Sequence, residues 1–141
     1  MIEAAVVDAS VAVKWVVRES GSDRARLLAQ ARLEAPDLLF IECANILWKK
    51  VRAGDLAERE AVERLNLLLR APVLLAGSRE LLESALRLSF ELLHPVYDCV
   101  YLALALQRGF PLVTADERLA KAARKRRKVA AFVMLLAELP D

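Results

Sequence analysis

Histidine occurs once in this chain of 141 residues, cysteine twice, glycine four times, and aromatic residues make up only 6%. Each scarcity removes a class of function. A single histidine, His94, cannot build a histidine-rich metal site. Cys43 and Cys99 are too far apart in sequence for zinc-ligand spacing and too few for a disulfide framework. Gly21, Gly54, Gly77 and Gly109 are too scattered to form a glycine-rich phosphate loop. A nucleophilic pair of Cys99 and His94 is disfavoured, because Cys99 falls in a run of core residues where small buried thiols are common. Long apolar runs are also missing. The longest, residues 99–106 and 129–137, fall well short of the roughly 20 residues needed to cross a bilayer. Glu3 and Asp8 stand near the start with no basic lead-in, so no secretory signal is expected and the chain reads as cytoplasmic.

What is present is aliphatic. The hydrophobic fraction is 57%, drawn mostly from Ala, Val and Leu, which excludes disordered, collagen-like and small disulfide-rich classes. The length suits one domain over residues 1–141 with a substantial core. The formal charge of +2 conceals an uneven distribution, since residues 121–128 (KAARKRRK) hold six cations and no acid. The remainder of the chain is weakly acidic. A local cationic segment on such a body leaves phosphate binding open.

Short apolar runs at residues 3–7, 73–76 and 110–114, with a last one within 129–135, read as strands. Helical patterns separate them. Ser10 is a candidate cap for a turn through Trp15, and Ser22 or Asp23 opens a helix carrying Ala25, Leu28, Ala29 and Leu33. Residues 35 and 36 interrupt it. Leu38, Ile41, Ala44, Asn45 and Trp48 mark a third helix ending at Gly54, where a left-handed residue is expected. Further helices span residues 57–70 and 78–93. Another begins near Tyr97, is apolar on most sides and closes at Gly109. Asp116 starts a basic helix expected to continue through residue 128. Alternating strands and helices predict a parallel sheet covered on both faces.

Four carboxylates do not fit a solvated surface. Asp8 ends the first strand and Asp116 follows another, at the carboxyl ends where open α/β sheets place ligands. Glu42 stands among Leu38, Leu39, Phe40, Ile41, Cys43 and Ala44, read as a helix-interior acid with no capping role. Asp98 opens the most apolar helix. Asp98 and Asp116 are equally readable as helix caps. Four acids gathered at one sheet end would repel one another unless a divalent cation sat among them. Oxygen-only ligation selects Mg²⁺ or Mn²⁺ over zinc.

The same residues form four motifs in order. They are V-V-D-A-S-V-A-V-K-W over residues 6–15, A-P-D-L-L-F-I-E-C-A-N-I-L-W-K over 35–49, Y-D-C-V-Y-L-A-L-A over 97–105, and L-V-T-A-D-E-R-L over 112–119. In this arrangement the whole chain resembles a PIN-domain protein of the VapC-like toxin group. The resemblance implies a three-layer α/β/α PIN-like fold with a central parallel sheet of four to five strands. It implies a single-stranded-RNA endoribonuclease dependent on Mg²⁺ or Mn²⁺, usually a homodimer, held inactive by a small antitoxin protein. By position, Asp8, Glu42, Asp98 and Asp116 match the family's metal-binding acids; in the mechanism expected here Asp8, Asp98 and Asp116 hold the metal directly or through water, and Glu42 ligates it or positions the attacking water. Ser10 and Thr114 match nearby hydroxyl positions, and Asn45 matches an amide able to orient Glu42. Arg118 stands where many relatives have a further Asp or Asn, so a second metal position lacks that ligand.

Lys121, Arg124, Lys125 and Arg127 are candidate contacts for the RNA backbone. Trp15, Phe40, Leu47 and Trp48 offer apolar surface for a dimer or antitoxin face. The competing reading is a non-catalytic PIN-fold module that binds RNA or protein and keeps its acids for the fold.

Overall fold

The computed structural model describes residues 2–140. Five parallel strands form one sheet in the order β3-β2-β1-β4-β5. They are β1 (Ala4–Val7), β2 (Arg32–Pro36), β3 (Val73–Ala76), β4 (Leu112–Thr114) and β5 (Val133–Leu135). The chain lays β2 and β3 outward on one side of β1, then returns to place β4 and β5 on the other. Neighbouring connections therefore diverge between β1 and β4, where Val6 pairs with Leu112 and Val7 with Val113. Such a divergence opens a crevice beyond the carboxyl ends of the strands.

The helices are α1 (Ala9–Ala12), α2 (Ser22–Leu28), α3 (Leu39–Arg52), α4 (Glu58–Leu68), α5 (Leu82–Leu92), α6 (Val96–Arg108), α7 (Glu117–Ala123) and α8 (Arg127–Ala130). Alternation along the strands divides the core in two. Val6 and Leu112 face the larger cluster with Leu39, Leu47, Leu68, Leu92 and the buried run of α6. Ala5, Val7 and Val113 face a smaller one with Leu28, Leu136 and Leu139. Helix α6 is buried from Cys99 to Ala105, as its nearly continuous apolar sequence requires. Gly54 and Gly109 take positive φ at helix ends, the conformation in which a side chain is disfavoured.

The structure departs from the sequence expectation at residues 32–36, along the basic segment and at Ser10. Residues 32–36 form β2, paired with β1 through Ala5 and Leu33 and with β3 through Ala35 and Leu75, where a helix end and an interruption were expected. Its central Glu34 is buried, and its Oε1 accepts from Arg108 Nε at 2.8 Å, with Arg32 at 3.5 Å from Oε2. The basic helix is not continuous. It stops at Ala123, passes through i→i−3 turns at Lys125 and Arg126, and restarts as the single turn α8. Like charges three and four residues apart disfavour one unbroken helix here. Finally, Ser10 is not a cap: Asp8 caps α1, and Ser10 lies inside it.

Candidate active site

Asp8 sits where β1 gives way to α1 and is 5% exposed. Three donors hold it. Its Oδ1 accepts from Ser10 Oγ at 2.6 Å and from the Val11 amide at 3.3 Å, and its Oδ2 accepts from the Thr114 hydroxyl. The two hydroxyls lie 3.3 Å apart. Ser10 Oγ accepts from the Ala115 amide at 2.9 Å and Thr114 Oγ1 from the Asp116 amide at 3.0 Å. This lattice joins the ends of β1 and β4 around one carboxylate. Burial nevertheless dominates and pushes the Asp8 carboxyl up to about 6, against the hydroxyl hydrogen bonds and with added repulsion from Asp98.

Glu42 lies in the first turn of α3, which begins at Leu39, rather than in a helix interior. Tyr101, fully buried on α6, donates its hydroxyl to Glu42 Oε1 at 2.5 Å. Asn45 makes no such bond among the described residues, so the orienting amide expected from the resemblance is replaced by a phenol from a different helix. Burial raises the Glu42 carboxyl; the Tyr101 hydrogen bond opposes this and the Asp98 charge adds to it. The Tyr101 phenol is itself pushed far above its ordinary range by burial and by Glu42, and so stays a donor.

Asp98, in the first turn of α6, has its Oδ2 2.6 Å from Nε2 of the nearly buried His94 ring. Asp116 caps α7, with Oδ1 accepting from Arg118 N at 2.9 Å and Leu119 N at 3.4 Å. All four acids line one cleft of about 600 Å³, together with Ser10, Ile41, Asn45, Ile46, Lys49 and Tyr97. Thr114 lies behind it, fully buried. Among the described residues no three carboxylate, histidine or cysteine side chains already form a closed cation cage; the acids are spread round the wall. The donor set is nonetheless all oxygen. Asp98 raises both Asp8 and Glu42, a mutual repulsion that a divalent cation relieves.

The cationic segment lies elsewhere. None of Lys121, Arg124, Lys125 and Arg127 is among the lining residues. Arg124 pairs with Glu138 at 3.7 Å and Lys125 Nζ donates to the Leu92 carbonyl at 2.9 Å. The cleft's own cation is Lys49, seven residues after Glu42 on the same face of α3. That helical spacing was available in the sequence, as was the four-residue spacing of His94 and Asp98. Tyr101 carried no local signal. Both thiols are buried and raised, Cys43 to about 12 and Cys99 to about 11, chiefly by burial, so neither is a nucleophile.

A family model for the PIN domain matches residues 5–125. The chain belongs to the PIN-domain family. Within it the VapC-like group is the one it falls in. The chain is 38% identical over 120 residues to "Ribonuclease VapC3" of Pyrobaculum aerophilum, covering 82% of this chain and 92% of that protein. It is 36% identical over 129 residues to "Ribonuclease VapC3" of Mycobacterium tuberculosis, covering 85% and 88%. Among solved structures, PAE2754 from Pyrobaculum aerophilum superposes with a TM-score of 0.71 at 25% identity, over 96% of this chain and 92% of that one. Mycobacterium tuberculosis VapC20, described as a Sarcin-Ricin loop cleaving toxin, shares the fold with a TM-score of 0.64 at 17% identity, over 84% and 94%. The PIN domain thus has its switch-point crevice occupied by the four acids anticipated from the sequence.

Proposed function

We propose that this PIN domain is an endoribonuclease that hydrolyses phosphodiester bonds in single-stranded RNA with Mg²⁺ or Mn²⁺, as the toxin of a toxin–antitoxin pair. The observation that carries the reading is one cleft at the β1/β4 crevice lined by Asp8, Glu42, Asp98 and Asp116. Relatives named ribonucleases support the reaction class. A neighbour described as a toxin-antitoxin complex from Klebsiella pneumoniae shares the fold at 13% identity; the antitoxin partner rests on the VapC-like membership.

Asp8, Asp98 and Asp116 would hold the cation, whose contribution when bound is a more acidic water and stabilisation of charge on the phosphate. The remaining work falls to the chain. Ser10 and Thr114 keep Asp8 in a fixed orientation, and His94 does the same for Asp98. Glu42, held by Tyr101 and with a raised affinity for protons, accepts the proton of the attacking water. Lys121, Arg124, Lys125 and Arg127 remain proposed contacts for RNA beyond the cleft, the first three of these positions being exposed as is Arg127.

Incubation with a short single-stranded RNA in Mn²⁺ is expected to give cleavage that chelator abolishes and that a fully paired RNA resists. RNA bound but uncut in either Mg²⁺ or Mn²⁺ would instead establish the non-catalytic binding module.

The proposed homodimer needs a face, and the candidates from the sequence divide. Leu47 is buried, and Trp15 is half-buried with its Nε1 donating to the Ala25 carbonyl at 2.8 Å. Trp48 stays exposed beneath Arg52, and Phe40 is half-buried. A longer apolar stripe runs along α5, where Leu82, Leu86 and Phe90 recur every four residues and are 49%, 48% and 69% exposed. Phe90→Glu is expected to convert a sedimenting dimer to monomer. A wild-type monomer across micromolar concentrations would remove the dimer. No helix among the described residues is long and apolar enough to cross a membrane.

A further inference from the structure

The cleft is lined by four carboxylates and one cation, Lys49. A phosphodiester strand entering it meets net negative charge, and phosphates flanking the one at the acids are repelled. Uncharged surface in the lining can add attraction that this repulsion does not cancel. Two large apolar side chains in the lining are open to solvent, Tyr97 at 65% and Ile41 at 74%. Each immediately precedes an acid, Tyr97 before Asp98 on α6 and Ile41 before Glu42 on α3. Among the described residues the Tyr97 hydroxyl has no hydrogen-bond partner and its ring carries no cation. Trp48, also exposed, differs: Arg52 lies over its ring at 5.1 Å, and it is not in the lining.

We propose that Tyr97 is the base-stacking platform of the cleft, taking the nucleobase beside the scissile phosphate, while Lys49 neutralises a different phosphate of the same strand. The proposal rests on the ribonuclease reading above and specifies how that site holds its substrate. Lys49 is seven residues beyond Glu42, about 10 Å along the α3 axis, and so reaches a phosphate other than the one at the acids. Every base has a π-face, so stacking adds affinity without demanding a sequence. A duplex keeps its bases stacked on each other, and its strands are refused. Preference for single strands then follows from one exposed ring.

The test is binding of a short oligoribonucleotide to the Asp8→Asn protein, in which cleavage is expected to be lost. Tyr97→Ala is expected to weaken binding about tenfold, and Tyr97→Phe by less than about twofold, because only the ring stacks. Moving a single abasic nucleotide along the RNA should cost the parent a similar factor at one position and cost the Tyr97→Ala protein nothing further there. Lys49→Ala should lower the salt dependence of binding by about 0.7 in the log–log slope. Equal affinity of the Tyr97→Ala and parent proteins overturns the proposal. So does a loss shared by Tyr97→Phe, or one indifferent to the abasic position. Undiminished RNA affinity with weakened binding of the cognate antitoxin would make Tyr97 a protein contact instead. Wild-type protein that neither binds nor cuts single-stranded RNA removes the ribonuclease reading as well, whereas intact cleavage by Tyr97→Ala removes only the platform.

Discussion

Asp8→Asn is expected to reduce RNA cleavage at least about 100-fold and, at the same time, to raise the melting temperature of the metal-free protein. The first effect follows from removing the most buried of the acids proposed to hold the cation. The second follows from the cost of ionising it. In the folded chain the Asp8 carboxyl is pushed up to about 6 from 3.8, mainly by burial. Above pH 6 the fold must therefore carry a charge that the unfolded chain accommodates in water. Below about 4 both states hold the proton and the penalty is gone. The gap of about two pKa units corresponds to a penalty on the order of 3 kcal/mol. An uncharged Asn escapes it, although it satisfies Ser10, Val11 and Thr114 less well. In chelator the wild-type protein should lose stability between pH 4 and 7 relative to Asp8→Asn, and added Mn²⁺ should stabilise the wild type alone. Calorimetry across that range checks the sign. Undiminished cleavage by a folded Asp8→Asn protein would take Asp8 out of the site, and a lower melting temperature in chelator at pH 7.5 would mean that the hydroxyl bonds outweigh the burial cost.

The second large effect separates two roles held by one residue. Asp116 caps α7 through Oδ1, leaving Oδ2 for the cleft. Asn caps a helix as well as Asp does, whereas Ala does not. Asp116→Asn is expected to lose most cleavage, on the order of 100-fold, with little change in thermal stability. Asp116→Ala should lose as much cleavage and about a further 1 kcal/mol of stability. Steady-state rates and melting curves of the two variants decide the matter. If Asp116→Asn cleaves normally while Asp116→Ala melts early, Asp116 is a cap only.

These acids were legible because each stands at the edge of something periodic. Asp8 ends the apolar run of β1, Asp116 closely follows that of β4, and Asp98 stands in the first turn of a helix with almost no polar face. Strand β2 was not legible. Its sequence, Arg-Leu-Glu-Ala-Pro, has charges at two of five positions and favours no strand by composition. Glu34 is buried there with its one hydrogen-bonded charge partner, Arg108, coming from 74 residues later, beside the longer contact to Arg32. No window along the chain contains that pair. The same distance hid Tyr101, whose hydroxyl reaches Glu42 across 59 residues, while composition pointed only to core. The basic segment misled for the opposite reason. Its charge density is plain and points to an RNA contact, whereas the repulsion among those same charges, left out of the expected continuous helix, disfavours one unbroken helix. The burial of Ala122, Ala123 and Val129 on both sides of the break is a tertiary feature.

The hydroxyl lattice around Asp8 also sets an order of events during synthesis. Strand β1 leaves the ribosome first, yet the bond from Thr114 that fixes its terminal carboxylate spans 106 residues. Loop closure over that distance must wait until β4 has emerged, since a parallel neighbour cannot be supplied locally. A nascent or prematurely terminated chain ending before Thr114 has the acids of β1, α3 and α6 but lacks Asp116 and the hydroxyl that holds the second oxygen of Asp8. The proposed nuclease would thus have no cutting edge until β4 has been made.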